Sequence, residues 1–133
     1  MKVRRNFRIF ALIVAFGLAL PGVARAQDAA AGERVFMQCR ACHQIGPTAR
    51  NLVGPQLNGI FGRRAGSVDG FNYSDAYKAL DKVWDEGNFS TYIQNPRVAT
   101  PGTRMVFGGI KDETQISNLI AYLKQFGADG QRH

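Results

Sequence analysis

The 133-residue chain holds only two cysteines, two histidines, three methionines and one tryptophan, so any metal or redox chemistry must be built from very few side chains. A closed zinc site needs four ligands, and the supply here is Cys39, Cys42 and His43 plus the terminal His133 or a carboxylate. Apolar/polar alternation of the β type is nearly absent, which removes the strand that a thioredoxin-like Cys-x-x-Cys pair should follow. Internal repeats and low-complexity segments are also missing, which points to one domain. The longest apolar run, about Ile9 to Leu20, falls short of a bilayer span and is broken by Pro21-Gly22.

That run belongs to "MKVRRNFRIFALIVAFGLALPGVARAQ", with a basic start, an apolar centre and a small-residue signal at Ala24-x-Ala26. It reads as a secretory leader over residues 1–26, leaving a folded domain at 27–133; an uncleaved anchor is the alternative. Five of the 17 basic residues precede Gln27, while all 10 acids follow it. Twelve cations against ten acids leave a net charge of +2. A nucleic-acid binder keeps a strong basic excess in its folded part, so nucleic acid is not an expected partner.

The first helix is expected from Ala29 to about Cys42, with Val35, Phe36, Cys39 and Cys42 on one broad face. The last is expected from an Asp112 N-cap to Phe126, with Ile116, Leu119, Ile120 and Leu123 at helical spacing and Gly127 as the stop. Two shorter helices are expected near Ser74 to Asp81 and Asn88 to Gln94, the second halted by Asn95-Pro96. Gln44 to Tyr73 remains a Gly/Pro/Asn-rich loop, long enough to imply that it wraps something other than protein.

The stretch "CRACH", Cys39 to His43, gathers both cysteines and one histidine. A disulfide between i and i+3 closes too small a loop to stabilise much and strains the helix. Covalent haem uses every group: two thiols become thioethers and the adjacent imidazole ligates the iron. Among candidates for a second iron ligand, Met1 lies in the leader, Met37 is tethered on the attachment side, and His133 lies beyond Gly127 and Gly130 in an expected tail. Met105 remains, on the turn-rich "TPGTRMVFGG". Bringing it back to His43 costs about 4 kcal/mol of chain entropy, so the bond should last only while the fold supports it.

At this point "CRACH", "GPQLNGIFGRRAG", "GFNYSDAY", "PGTRM" and "LIAYLKQF" resemble, in order, soluble cytochrome c of the mitochondrial type and its periplasmic bacterial relatives. The resemblance covers Ala29 to Phe126. It implies an all-α cytochrome c fold, short helices and long loops around one haem c, with the terminal helices crossing near Gly32, Phe36, Leu119 and Tyr122. It also implies that the Pro55 carbonyl accepts from His43, that Arg63, Tyr73 and Trp84 hold the haem propionates, and that Tyr92 and Thr103 lie on the Met105 side. Tyr77 departs from the pattern, standing where mitochondrial members carry asparagine.

Iron held by both His43 and Met105 has no open position, so the expected function is a non-enzymatic, high-potential one-electron shuttle in the periplasm. The expected partners are membrane or soluble redox proteins of the reductase, oxidase or dehydrogenase type with acidic docking surfaces, met by a monomer through Arg40 and Arg104, with Lys111 as a further contact. The competing classes are a haem peroxidase or ligand sensor, for which no distal histidine apart from His133 is on offer, and a cytochrome module of a larger complex. N-terminal sequencing of the exported protein should begin at Gln27; a start at Met1 would show a retained anchor.

Overall fold

A computed structural model describes residues 27–133; the expected leader lies outside the described residues. Asp28 caps the first helix, its carboxylate accepting from Ala31 N at 3.0 Å, and α1 runs Ala29–Phe36. The expected continuation to Cys42 does not occur. From Met37 to Arg40 each amide bonds to the carbonyl three residues back, as in Cys39 N to Phe36 O at 2.8 Å, which tightens the helix into successive turns. Those turns still carry Cys39, Cys42 and His43 within one coil, with His43 N on Cys39 O at 2.9 Å.

Ser74 caps α2, Asp75–Lys78, shorter than expected. A reciprocal Asp85/Asn88 capping box starts α3, Glu86–Gln94, two residues earlier than the apolar pattern alone indicated. Asn95-Pro96 ends α3 as expected but also opens α4, Pro96–Ala99, which the sequence reading missed; Pro96 sits at its first position, where the lost N–H has no intrahelical partner anyway. Asp112 caps α5, Glu113–Lys124. Among the described residues the only β pairings are isolated bridges, Arg64 with Val83 and Phe126 with Arg132.

The end of α5 corrects two expectations. Its cap is Gln125 in right-handed geometry, so Gly127 is not a left-handed stop. Nor is the terminus a loose tail: Gly127 N bonds Gln131 O at 3.0 Å and His133 N bonds Gln125 O at 2.9 Å. The Arg132 guanidinium then lies over the Phe126 and Tyr122 rings, at 5.0 and 5.6 Å, and pairs with Glu33 at 3.5 Å.

α1 and α5 cross as expected. Asp28 N bonds the Asn118 side chain at 2.9 Å, and the Phe36 and Tyr122 rings meet at 5.3 Å. Leu119, Leu123, Ile116 and Phe36 are fully buried there. The segment 44–73 is free of helix, as expected, and is pinned at intervals: Leu57 N to Gln44 O at 2.9 Å, Gly59 N to Phe126 O at 3.2 Å, Gly62 N to Trp84 O at 2.8 Å.

A Cβ on Gly32 would stand 1.9 Å from the Asn118 carbonyl oxygen and 2.8 Å from Tyr122 Cβ. Alanine normally favours a helix over glycine by about 1 kcal/mol. Here the backbone clash dominates, and Gly32→Ala should lose about 3 kcal/mol of stability in denaturant unfolding. An unchanged or raised midpoint would show that the helices separate freely.

Candidate functional site

Between the α1–α5 crossing and the 44–73 loop lies a cavity of about 670 Å³, within the range of small-molecule and cofactor sites. Cys39, Cys42 and His43 line it from the turns after α1; Pro55, Arg63 and Tyr73 from the long loop; Trp84 and Tyr92 from the start and body of the α3 segment; Thr103 and Met105 from the loop after α4. All ten residues singled out in the sequence therefore meet at one site. Leu119 and Leu123 of α5 supply part of its apolar wall.

His43 is held by its ring. Nδ1 lies 2.7 Å from the Pro55 carbonyl, so the proton sits on Nδ1 and Nε2 keeps its lone pair as the free coordinating atom. Burial pushes the imidazole pKa below its ordinary value, favouring the neutral form a metal requires, although the Pro55 bond opposes that shift. Gly54 makes the fit possible: a Cβ there would stand 2.3 Å from His43 Cε1. Sequence reasoning gave this glycine no role of its own.

The two thiols are unpaired and half-buried. Burial, with the neighbouring Cys42, pushes the Cys39 thiol up to about 11, so it is protonated and a weak nucleophile in the folded chain.

Met105 rides a loop with no helical period, as expected. Its amide bonds Thr103 Oγ1 at 3.2 Å, and its sulfur accepts from the Tyr92 hydroxyl at 3.1 Å. Gly109 closes the loop in the left-handed region (φ 88°), where a Cβ would meet the Gln94 carbonyl oxygen at 2.1 Å. The Arg104 guanidinium ties the same loop to the Asn72 carbonyl.

Arg63 reaches the cavity but spends two nitrogens on protein, donating to Asn58 O at 2.8 Å and Gln56 O at 3.1 Å. The Tyr73 hydroxyl accepts from Val68 N at 3.3 Å. Tyr77, flagged only as a departure, stands in the middle of the aromatic wall, stacked on Tyr73 at 5.5 Å and edge-on to Tyr92 at 6.2 Å. Burial pushes its phenol pKa far up, keeping it protonated.

The donor set fits haem c on these observations. Two thiols one turn apart, an oriented neutral imidazole and a thioether face one apolar cavity, and a glycine is placed where a side chain would displace the imidazole. It does not fit zinc: among the described residues no three His, Cys, Asp or Glu groups gather to hold a metal, and His133 is outside the cavity lining.

Comparison with known proteins places the chain in a family. The family model for cytochrome c matches residues 29–127. Cytochrome c2 of Blastochloris viridis is 53% identical over 124 residues, 93% of this chain and 96% of that one. Cytochrome c-554 of Methylosinus trichosporium is 50% identical over 119 residues, 90% of each. Among solved structures, cytochrome cH from Methylobacterium extorquens matches with a TM-score of 0.69 at 43% identity, covering 74% of this chain and 98% of that one. With all but its first and last few described residues inside the family pattern, and half or more of the aligned positions identical in two relatives along nearly their whole length, this chain belongs to the cytochrome c family.

Proposed function

We propose that the chain is a periplasmic one-electron carrier holding one haem c through Cys39 and Cys42, with His43 and Met105 as the iron ligands. The observation that carries this reading is the convergence of an oriented imidazole and an oriented thioether on one apolar cavity beside two free thiols. When bound, the haem supplies a reversible one-electron couple, which thioether and imidazole ligation sets at high potential.

The chain's own residues do the rest. Pro55 fixes the His43 tautomer and raises its basicity through the Nδ1 proton. The Tyr92 hydroxyl holds the Met105 sulfur in one direction, with Thr103 bracing the same loop. Trp84, Leu119 and Leu123 exclude water and disfavour added charge. Arg63, Tyr73 and Trp84 are the groups we assign to the propionates. With both iron positions taken by protein, no site is left for a substrate, which argues for a carrier over a peroxidase or sensor.

The bacterial relatives support an exported protein, and among the described residues no helix is long and apolar enough to cross a membrane. Val53 and Val106, 78% and 81% exposed, flank the cavity with Arg104 beside them. Arg40 is exposed on the turn between the two cysteines. The Lys111 ammonium is bound to the Gln94 carbonyl, as the Arg104 guanidinium is to that of Asn72. An apolar rim with flanking cations suits brief encounters of the monomer with a redox protein whose docking surface is acidic.

Adding carbon monoxide to the reduced protein should leave its visible spectrum unchanged; a shifted spectrum would mean that Met105 does not hold the sixth position. Exchanging Arg40 and Arg104 together for Gln should slow electron transfer to an acidic partner about tenfold at low salt and flatten its salt dependence. Equal rates and equal salt dependence would remove the electrostatic part of the docking scheme.

A further inference from the structure

Two methionines stand among the described residues, and their sulfurs are in opposite situations. Met105 is half-buried in the cavity lining, and its sulfur accepts from the Tyr92 hydroxyl at 3.1 Å. Met37 lies outside that lining, 58% exposed, where α1 gives way to tight turns. Its sulfur has a neighbour that the iron-ligand scheme does not use, Arg40 Nη1 at 3.3 Å. The turns bring this pair together. Arg40 N bonds Met37 O at 3.4 Å, and in three-residue turns the side chains at i and i+3 stand one above the other. Among the described residues no carboxylate pairs with Arg40, and the thioether is the one hydrogen-bonded partner of its guanidinium.

A thioether is a weak acceptor, whereas a guanidinium presents several N–H donors in a fixed fork. The pairing is poor as it stands and becomes good once the sulfur carries an oxygen. Hydrogen peroxide makes that change. A sulfur lone pair attacks one peroxide oxygen, the S–O bond forms as the O–O bond breaks, and the departing oxygen takes the proton of the transferred one and leaves as water. The sulfur gives up two electrons and the peroxide is reduced. A flexible apolar side chain thereby becomes a polar sulfoxide, which methionine sulfoxide reductases return to the thioether. The new oxygen stands one bond beyond a sulfur that Arg40 already reaches.

We infer that Met37 is a peroxide-responsive modification site on the docking face: its sulfoxide captures the Arg40 guanidinium and withdraws it from an acidic partner. Arg40 sits on the turn between Cys39 and Cys42, so the modified side chain alters the surface beside the attachment site and leaves His43 and Met105 untouched. The net charge of the carrier does not change. Donors of Arg40 are instead spent within the chain, and the negative end of the S–O dipole offsets part of the guanidinium's field. Met105 is shielded from the same reaction, because it is half-buried and its sulfur is committed to the Tyr92 proton.

The inference rests on the proposed docking to acidic partners, and the experiment separates the two. The haem-bearing protein and its Met37→Leu variant are treated with dilute hydrogen peroxide, and the oxidant is then removed. Two quantities are read: the one-oxygen mass gain of the peptides holding Met37 and Met105, and the rate of electron transfer to an acidic redox protein at low and high salt. Met37 should gain oxygen about tenfold faster than Met105. Treatment should slow low-salt transfer by the unsubstituted protein about threefold, leave its high-salt rate unchanged, and leave Met37→Leu unaffected at both. Equal oxidation of the two methionines, an equal loss of rate in Met37→Leu, or no loss in protein fully oxidised at Met37 overturns the inference. Should Met37→Leu fail to fold, Met37→Ala, which also lacks the sulfur, takes its place. Rates that ignore salt before any treatment would overturn the docking reading itself, and this inference with it.

Discussion

Everything in this chain hangs from the place where α1 and α5 touch. Gly32 lets the two backbones meet at the Asn118 carbonyl, and Asp28 N and the Asn118 side chain lock the rotation at 2.9 Å. Directly downstream on α1 come the turns that carry Cys39, Cys42 and His43, while the cavity side of α5 presents Leu119 and Leu123. The crossing therefore fixes attachment site and apolar wall in one step. Overall, two short helices give the long loops a rigid surface to be hung on.

The loops could not hold the rest of the site on hydrophobic burial alone, because much of their apolar surface faces the cavity. Their order comes from backbone hydrogen bonds placed at intervals, including Gly54 N on Cys42 O and Trp84 N on Arg63 O, both at 2.9 Å. Arg63 extends the same scheme by binding the Asn58 and Gln56 carbonyls. A half-buried guanidinium is stabilised by such partners. In this structure Arg63 is therefore first a brace for the loop that delivers Pro55 to His43, and its remaining donors are what it can offer a carboxylate.

Much of this was legible in the sequence because the chemistry is local. Cys39, Cys42 and His43 are neighbours, Asp112 and the 116–123 stripe announce α5, and the few methionines make elimination possible. The misses have physical causes. α1 ends at Phe36 because the backbone switches to bonds three residues back, which an apolar pattern does not register. α4 was hidden because Pro96 reads as a stop, although proline also suits a first helical position. The partners of Arg63 and the place of Tyr77 depend on folds of the loop that no periodicity encodes.

The C-terminal segment shows how a region read as a tail becomes part of the scaffold. Gly130 has φ 76° and is pressed so close to the Gly46 carbonyl that a Cβ would stand 2.3 Å from its oxygen. Gly46 is in turn bonded twice to the Asn58 side chain, at 2.8 and 2.9 Å, and Asn58 O receives Arg63. Arg132, lying over Tyr122 and Phe126 and paired with Glu33, closes the segment back onto α5 and α1. The chain end, the loop bearing Pro55 and the helix crossing are thereby one connected frame. An electron carrier gains from such a frame because geometry that is already set at the metal ligands need not be rebuilt when the charge changes.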